Sequence, residues 1–197
     1  PGNTLFYEKS MRLWEGLSQD LNFNVMLSQR GQLNLGHSDA NMTVLSKRGN
    51  TMRANGIDAD ILTREEVQKI APYFDYTPSA RFPIYGALWQ DRAGVARHDA
   101  VAWGYARGAD SYGVDLIQNC EVLGFVKEGE RIVGVETTRG RIGAKKVGTT
   151  VAGHTGHLAE KAGLKLPIEP HVLQAFVSEP LKPMVDIVVS CGAMHFY

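Results

Sequence analysis

The sequence predicts a mixed α/β (α+β) fold in which two domains are interleaved. Amphipathic helical stretches and a hairpin pattern dominate the first part of the chain, whereas a helix followed by closely spaced β-rich runs dominates the middle. A strand pattern then returns near the end. A chain that leaves one sheet, builds another and returns is expected to form interleaved domains. The predicted division is residues 1–93, residues 94–165 and residues 166–197, the last returning to the sheet of the first part.

The first predicted elements are a helix and a hairpin. Asn3 or Thr4 is a suitable helix cap, and the apolar residues that follow recur with helical spacing: Phe6, Leu13, Leu17 and Leu21. Residues 24–36, NVMLSQRGQLNLG, contain two short apolar stretches on either side of Arg30 and Gly31. This pattern predicts a β-hairpin.

Two further helices follow. Ser38 opens a helix that ends at Gly56, and its inward positions are Met42, Leu45 and Met52. Thr63 and Glu66 have the spacing of a capping box and predict a short third helix. Pro72 follows that helix closely, as is usual after a helix end.

Residues 87–89 predict a strand that leads to a helix over residues 99–112. Val101, Tyr105 and Tyr112 lie on one side of this helix. Gly104 and Gly108 are expected to let another backbone approach closely, although glycine lowers helix propensity.

The rest of the chain reads mainly as strands. Residues 114–153 alternate short β-rich runs with glycine-containing turns at 128–129 and 139–140, which predicts a strand, a three-stranded meander and a final strand. A helix is predicted from His157 to Ala162. A strand pattern resumes over residues 171–183.

Composition excludes several classes of protein. The 21 basic residues balance the 21 acidic ones, which argues against a nucleic-acid or membrane-surface partner. The sequence lacks an 18-residue apolar run and a signal-peptide core. Cys120 and Cys191 have no C-x-x-C spacing and predict buried thiols in a reducing compartment, rather than a disulfide or a metal site. We therefore expect a cytoplasmic protein.

The ends of the sequence also carry an expectation. The chain begins at Pro1 without a methionine and stops at Tyr197, within a strand-like run. These ends predict an internal piece of a longer polypeptide. Missing segments would then complete any functional site.

Several long stretches together resemble the D-amino-acid-oxidase-like family of FAD-dependent oxidoreductases. They are RHDAVAWGYARGAD, GVDLIQNCEV, GVETTRG and VAGH. FYEKSMRLWEGLSQDLNFNVMLSQRGQLNL and LPIEPHVLQAFVSEPLKP are similar to the β subunits of bacterial heterotetrameric sarcosine oxidases. The resemblance covers essentially the whole chain. It implies an internal part of a two-domain flavoprotein, in which a Rossmann-like, three-layer FAD-binding domain is interleaved with a mixed-sheet substrate domain.

This resemblance assigns residues 94–165 to the FAD-binding domain, and residues 1–93 and 166–197 to the substrate domain. The G-x-G-x-x-G fingerprint of a pyrophosphate-binding loop does not occur in the sequence. The resemblance therefore implies that this stretch is inactive by itself.

The resemblance implies two flavins, a non-covalent FAD and an FMN bound covalently to His98. The partial positive charge of a helix N-terminus disfavours a protonated imidazole, so that a ring nitrogen keeps its lone pair as a nucleophile. Arg97 would favour the anionic forms of a reduced flavin. The alternative is that His98 is a solvated residue at a helix start without a ligand.

Three further residues match cofactor-binding positions. Val122 matches the position whose backbone holds the adenine end of FAD, and Ala152 and Gly153 match a strand end that passes close to the dinucleotide. An ordinary buried valine and an ordinary turn glycine are the alternatives, although glycine does permit close approach. His154 and His157 form an H-x-x-H pair with no third ligand nearby, so no metal is expected.

The resemblance places the catalytic candidates at the end of the chain. His195 and Tyr197 match a strand that lines the substrate pocket, where they would contact a carboxylate or orient an amine. The alternative is that they have no role. His37 and His171 are expected to be surface or structural residues.

The implied activity is the oxidative demethylation of sarcosine to glycine. FAD accepts a hydride, electrons pass to FMN, and dioxygen becomes hydrogen peroxide. The implied partners are the α, γ and δ subunits, of which α binds NAD and the tetrahydrofolate that takes up the one-carbon unit. Two alternatives stay open: a related oxidase acting on dimethylglycine, proline or pipecolate, and a non-catalytic assembly domain.

Overall fold

The structure, a computed structural model, describes residues 2–192 and residue 196. Within these residues the chain forms two compact units. The first unit falls in residues 1–114 and 182–197, and the second consists of residues 115–181. Each unit has its own sheet structure, and the mixed α/β fold class is confirmed.

The helices in chain order are α1 (Gly2–Asp20), α2 (Asp39–Ala54), α3 (Arg64–Ile70), α4 (His98–Ser111) and α5 (Thr155–Ala162), with a 3-10 helix at Ala152–His154. The strands are β1 (Ser28–Gln29), β2 (Gln32–Gly36), β3 (Asp60–Thr63), β4 (Gly86–Gln90), β5 (Gly94–Val95), β6 (Val122–Glu128), β7 (Arg131–Thr137), β8 (Gly140–Gly143) and β9 (Val188–Cys191). None of the described helices combines the length and the apolar character needed to cross a membrane.

The first unit is built on a mixed sheet of order β3-β4-β2-β9. The inner strand β2 pairs antiparallel with β4 and parallel with β9, so that Leu33 lies opposite both Trp89 and Val189. Helix α2 crosses this sheet at Gly49, where a Cβ atom would lie 3.1 Å from Leu88 and 3.3 Å from Ile61. The core beneath the sheet contains Leu33, Leu35, Val67, Ala71, Ile84 and Ala87.

The predicted caps of α2 and α3 are confirmed. The side chain of Ser38 accepts a hydrogen bond from the backbone N–H of Asn41 at 3.2 Å, and α2 begins at the next residue. The Thr63 hydroxyl accepts from the N–H of Glu66 at 3.3 Å, while the Glu66 carboxylate accepts from the N–H of Thr63 at 2.7 Å. This reciprocal pair is a complete capping box.

The prediction for α1 is partly wrong. The helix begins at Gly2, so Asn3 and Thr4 lie inside it rather than capping it. Of the four apolar positions, Phe6 is 72% exposed and Leu13 is 61% exposed, whereas Leu17 is buried. Helical spacing gives the direction in which side chains point, but burial also requires a surface that covers them.

The predicted hairpin in residues 24–36 is also wrong. Strand β1 pairs with β5, 65 residues later in the chain, and β2 pairs with β4 and β9. The N–H groups of Arg30 and Gly31 both donate to the carbonyl oxygen of Ala93, at 3.0 and 2.8 Å. Pairing β2 with two distant strands buries Leu33 and Leu35, and the free energy gained in this way exceeds what a short local hairpin would gain.

The second unit contains the predicted three-stranded meander, in the order β6-β7-β8. Its two turns include Gly129 at φ +62° and Gly140 at φ +105°, conformations that favour glycine. Helix α5 is attached to β6 through two lysines. Lys127 Nζ donates to the carbonyl of Ala162 at 2.8 Å, and Lys161 Nζ donates to that of Leu123 at 3.0 Å.

Three predicted strands are not formed in the described residues. The runs at 114–118, 149–153 and 171–183 lack strand pairing, and a β-strand exists only when another strand satisfies its backbone groups. The third run carries strongly exposed apolar side chains, among them Val172, Phe176 and Val177. The late strand of the first sheet is β9 instead.

Candidate functional site

The segment that leads into α4 is held by contacts with β1. Gln29 lies opposite Gly94 in the β1–β5 pair, and its side-chain amide donates to the carbonyl of Arg92 at 2.8 Å. A Cβ atom at Gly94 would overlap the carbonyl oxygen of Ser28, so no larger residue fits there without a backbone shift. The approach to His98 is therefore fixed by backbone packing.

A charged cluster joins the same segment to α1. Arg92 donates from Nη1 to Glu8 Oε1 at 2.8 Å and from Nε to Glu15 Oε1 at 2.9 Å. Hydrogen bonds from Arg92 hold the pKa of both carboxyl groups below their ordinary value. The two carboxylates raise the pKa of the Arg92 guanidinium in turn, so all three groups carry their charge at neutral pH.

Helix α4 packs through its glycines, but the prediction that another backbone approaches them is wrong. A Cβ atom at Gly104 would lie 3.2 Å from side-chain atoms of Leu21 and Phe23 and 3.3 Å from Val25. A Cβ atom at Gly108 would lie 3.0 Å from Leu21. The partners that approach the helix are side chains rather than another backbone. This contact sets the distance of α4 from the segment that follows α1.

His98 is the first residue of α4, and its side chain is exposed. Arg97, the residue at the N-cap, has an extended backbone and makes no side-chain cap. Its Nε donates to the two oxygens of Asp99 at 2.9 and 3.3 Å. The hydrogen bond from Arg97 lowers the pKa of the Asp99 carboxyl group. A pair of opposite charges thus flanks His98 in the sequence at the start of the helix.

Val122 begins β6 in the second unit and is half-buried. The residue before it, Glu121, faces β7, since its carbonyl accepts from the N–H of Thr138 at 3.0 Å. Backbone groups of successive strand residues point to opposite edges. The N–H and C=O of Val122 therefore point towards the edge of β6 that has no partner strand among the described residues.

Ala152 and Gly153 do not end a strand, and this part of the prediction is wrong. They begin the 3-10 helix that precedes α5, and Ala152 has a φ of +45°. Both residues are exposed, and a Cβ atom at Gly153 would meet nothing closer than Pro170, at 3.7 Å. The segment before them has no pairing strand within the described part of the chain, and the chain turns directly into a helix.

The structure gives little information on the remaining predicted residues. His195 and Tyr197 lie outside the described residues. His154 and His157 are exposed, and the described residues contain no group of three or more potential metal ligands. Arg97 and His98 are neighbours in the first unit, whereas Val122, Ala152 and Gly153 belong to the second.

The structure also brings together two residues that the sequence did not connect. His37 follows β2, and its Nε2 lies 3.0 Å from the sulfur of Cys191, 154 positions later. Cys191 is buried as predicted, but Cys120 is only half-buried, and both thiols are free. No local spacing could have revealed the pair, since parallel pairing of β2 with β9 creates it.

The first unit also has a cleft of about 810 Å³ between α1, α2 and the end of β4. Trp14, Met52 and Arg92 are among the residues that line it. Arg97 and His98 are not among them. The cleft is therefore separate from the start of α4.

Comparison with known proteins decides the family. Residues 3–197 match the family described as FAD dependent oxidoreductase. The chain belongs to that family. Among solved structures, L-proline dehydrogenase from P. horikoshii is similar with a TM-score of 0.70 and 26% identity, over 80% of this chain and 40% of that one. Glycine oxidase from Geobacillus kaustophilus has a TM-score of 0.70 at 21% identity, over 82% of this chain and 43% of that one, and shows the shared fold.

Relatives within the family share much more sequence. The chain is 61% identical to sarcosine oxidase subunit beta from Rhizobium meliloti over its full length, and 48% identical to the Arthrobacter subunit over 97% of it. It spans about half the length of these curated relatives, 47% in each case. The resemblance to sarcosine oxidase β subunits is thus confirmed.

Proposed function

We propose that this chain is part of the β subunit of a heterotetrameric sarcosine oxidase, which converts sarcosine to glycine. The observation that carries the proposal is the exposed His98 at the start of α4, in a chain 61% identical to a sarcosine oxidase β subunit. The proposed partners are the α, γ and δ subunits, with NAD and tetrahydrofolate on α. The proposed location is the cytoplasm.

His98 is proposed to hold FMN covalently. Its side chain is exposed, and the Asp99 carboxylate beside it is engaged by the Arg97 guanidinium. The remaining N–H groups of Arg97 are proposed to face the flavin and to favour its anionic forms. These features fit a histidine that acts once as a nucleophile towards its own cofactor.

FAD is proposed to bind the second unit through Val122, Ala152 and Gly153. The unpaired edge at Val122 offers a backbone donor and acceptor side by side, which matches the hydrogen-bonding edge of an adenine. Exposed Gly153 leaves space for a cofactor to approach the backbone. When bound, FAD supplies hydride acceptance and FMN supplies electron transfer to dioxygen, which gives hydrogen peroxide.

His195 and Tyr197 are proposed to contact the substrate. Domain boundaries after residues 93 and 165 are proposed for the complete flavoprotein, with the substrate domain formed by the first and last parts. A closed pocket would favour the neutral amine of sarcosine over its ammonium form, because burial disfavours charge. This stretch alone is proposed to be inactive.

The covalent flavin gives the sharpest test. Trypsin is expected to release residues 98–107, HDAVAWGYAR, from the full-length protein in its native assembly. We expect this peptide to carry the mass of FMN, and an acid-precipitated sample to keep its yellow colour. His98→Ala should abolish both signals. His154→Ala is the matched control, because His154 is also an exposed histidine at a helix start.

Substrate choice needs a second measurement. We expect oxygen uptake with sarcosine to exceed that with dimethylglycine, proline or pipecolate. Faster uptake with one of these amines would favour the related oxidase, and the structural likeness to L-proline dehydrogenase makes proline the substrate to compare first. An unmodified peptide together with no oxygen uptake would favour the assembly domain.

A further inference from the structure

The pair formed by His37 and Cys191 lies in the mixed sheet of the first unit. His37 directly follows β2 and Cys191 ends β9, so the parallel pairing of these strands brings their ends together. The imidazole Nε2 lies 3.0 Å from the Cys191 sulfur. This is within hydrogen-bonding distance of a thiol.

The surroundings of His37 determine which ring nitrogen carries the proton. Nδ1 lies 3.2 Å from the carbonyl oxygen of Phe82 and 3.1 Å from that of Pro83. Both neighbours are acceptors, so Nδ1 must be the N–H donor in the neutral ring. Nε2 then carries the lone pair, and the Cys191 S–H donates to it.

This arrangement has the parts of an activated thiol. A base lies next to the sulfur, and backbone carbonyls orient that base from its other side. Proton transfer to a neighbouring histidine turns a thiol into the thiolate that reacts with oxidants. Cys120 provides the contrast, because no hydrogen bond to its sulfur is found among the described residues although it is the more exposed of the two thiols.

Burial limits which reagent can reach the pair. Cys191 exposes 1% of its surface, so large electrophiles are excluded. Gly192, which follows it, is exposed. Strand β9 has four residues and is the last in the described sheet, and the outer side of Cys191 carries only a single bridge, to Phe196, among the described residues. Short edge strands open locally more often than central ones. Such opening would admit an oxidant as small as hydrogen peroxide.

We propose that Cys191 is a site of oxidation by hydrogen peroxide, with His37 as its base. The thiol proton passes to Nε2 and the sulfur attacks one peroxide oxygen. The O–O bond breaks, and the other oxygen leaves as water with the proton from His37. The sulfur is oxidised to a sulfenic acid and the peroxide is reduced.

The added oxygen would lie between the sulfur and Nε2, so the direct S–H···Nε2 hydrogen bond that joins the ends of β2 and β9 is lost. In the cell this inference rests on the proposed function, which supplies the peroxide as a product. The extent of Cys191 oxidation in the sheet of the first unit would then follow the amount of hydrogen peroxide that has accumulated.

The test uses the full-length protein in its native assembly and added hydrogen peroxide, so it does not depend on substrate turnover. Samples are unfolded in the presence of dimedone, a reagent for sulfenic acids, and both cysteine peptides are quantified by mass spectrometry. We expect Cys191 to be oxidised faster than Cys120, by about tenfold or more. His37→Gln, which keeps a polar side chain but removes the base, should lower the rate at Cys191 by a similar factor and leave Cys120 unchanged.

Equal rates at the two cysteines, or an unchanged rate at Cys191 in His37→Gln, would overturn the proposal. If His37→Gln does not fold, the comparison of the two cysteines in the unmodified protein still decides the matter. A protein that makes no peroxide from sarcosine would remove the proposed function and leave the reactivity with added peroxide standing.

Discussion

Arg92 binds Glu8 through a single nitrogen, with Nη1 2.8 Å from Oε1 and 3.1 Å from Oε2 of the carboxylate. Its Nε and Nη2 bind the two oxygens of Glu15 at 2.9 and 3.0 Å. One guanidinium thus connects two carboxylates of α1 to the segment that leads into α4. This cluster positions the start of α4 relative to the first helix.

Replacing Arg92 should destabilise the first unit. Arg92→Ala removes hydrogen bonds to two carboxylates, and we expect the free energy of unfolding to fall by about 1–3 kcal/mol. Arg12→Ala is the control, because Arg12 binds the same Glu8 but its side chain is 73% exposed. We expect it to lose at most about 0.5 kcal/mol. Denaturant titration of the full-length protein measures both, and equal losses would contradict the role given to Arg92.

The same cluster predicts a pH dependence. Hydrogen bonds from Arg92 lower the pKa of Glu8 and of Glu15 from an ordinary value of 4.5. A carboxyl group whose pKa is lower in the folded state stabilises the fold fully above its unfolded pKa, and the stabilisation is lost as the pH falls through the folded pKa. The stability difference between the unmodified protein and Arg92→Ala should therefore be constant from pH 6 to 8 and shrink below pH 4.5. A difference that stays the same down to pH 3 would refute this assignment.

Gly94 should tolerate no side chain. In Gly94→Ala the new methyl group meets the Ser28 carbonyl, so β1 and β5 must separate, at an expected loss of about 1–3 kcal/mol. Gly124→Ala is the control, because a Cβ atom there meets nothing within 4 Å. Thermal unfolding measures the effect. The amount of covalent flavin should also fall in Gly94→Ala, since the displaced segment leads to His98. A variant as stable as the control would show that the strands accommodate a methyl group.

The capping box of α3 should account for a measurable share of stability. Thr63→Ala leaves the N–H of Glu66 without its acceptor, and we expect a loss of about 1 kcal/mol. Thr43→Ala makes a suitable comparison, because the Thr43 hydroxyl donates to the Asp39 carbonyl within the same helix and caps no helix start. Urea unfolding curves should show a smaller loss for Thr43→Ala. The reverse order would mean that the box contributes nothing.

Local elements were predictable to the extent that their hydrogen bonds are local. The caps at Ser38 and Thr63 join residues three positions apart, and the turns of the meander need a glycine at a positive φ. Side-chain chemistry at such short range leaves few alternatives. The hairpin prediction failed because the strand pattern in residues 24–36 does not determine which strand each of the two strands pairs with.

The candidate site likewise has features that the sequence predicted and features that it did not. His98 at a helix start was visible in the sequence, and its proposed link to a flavin came from resemblance to a family rather than from the residues themselves. The contacts that support the start of α4 were not visible. Glu8 and Arg92 lie 84 positions apart, and nothing near either residue indicates the other.

The amino-acid sequence by itself determined the starts of α2 and α3, the meander and the family, because each depends on neighbouring residues or on similarity over long stretches. The tertiary structure alone decided that β1 joins β5, that Arg92 links α1 to the segment leading into α4, and that His37 meets Cys191. These contacts depend on which apolar surfaces bury each other. That choice is a property of the whole folded chain. The free energy of burial is gained wherever two apolar surfaces fit together, however far apart their residues are in the sequence.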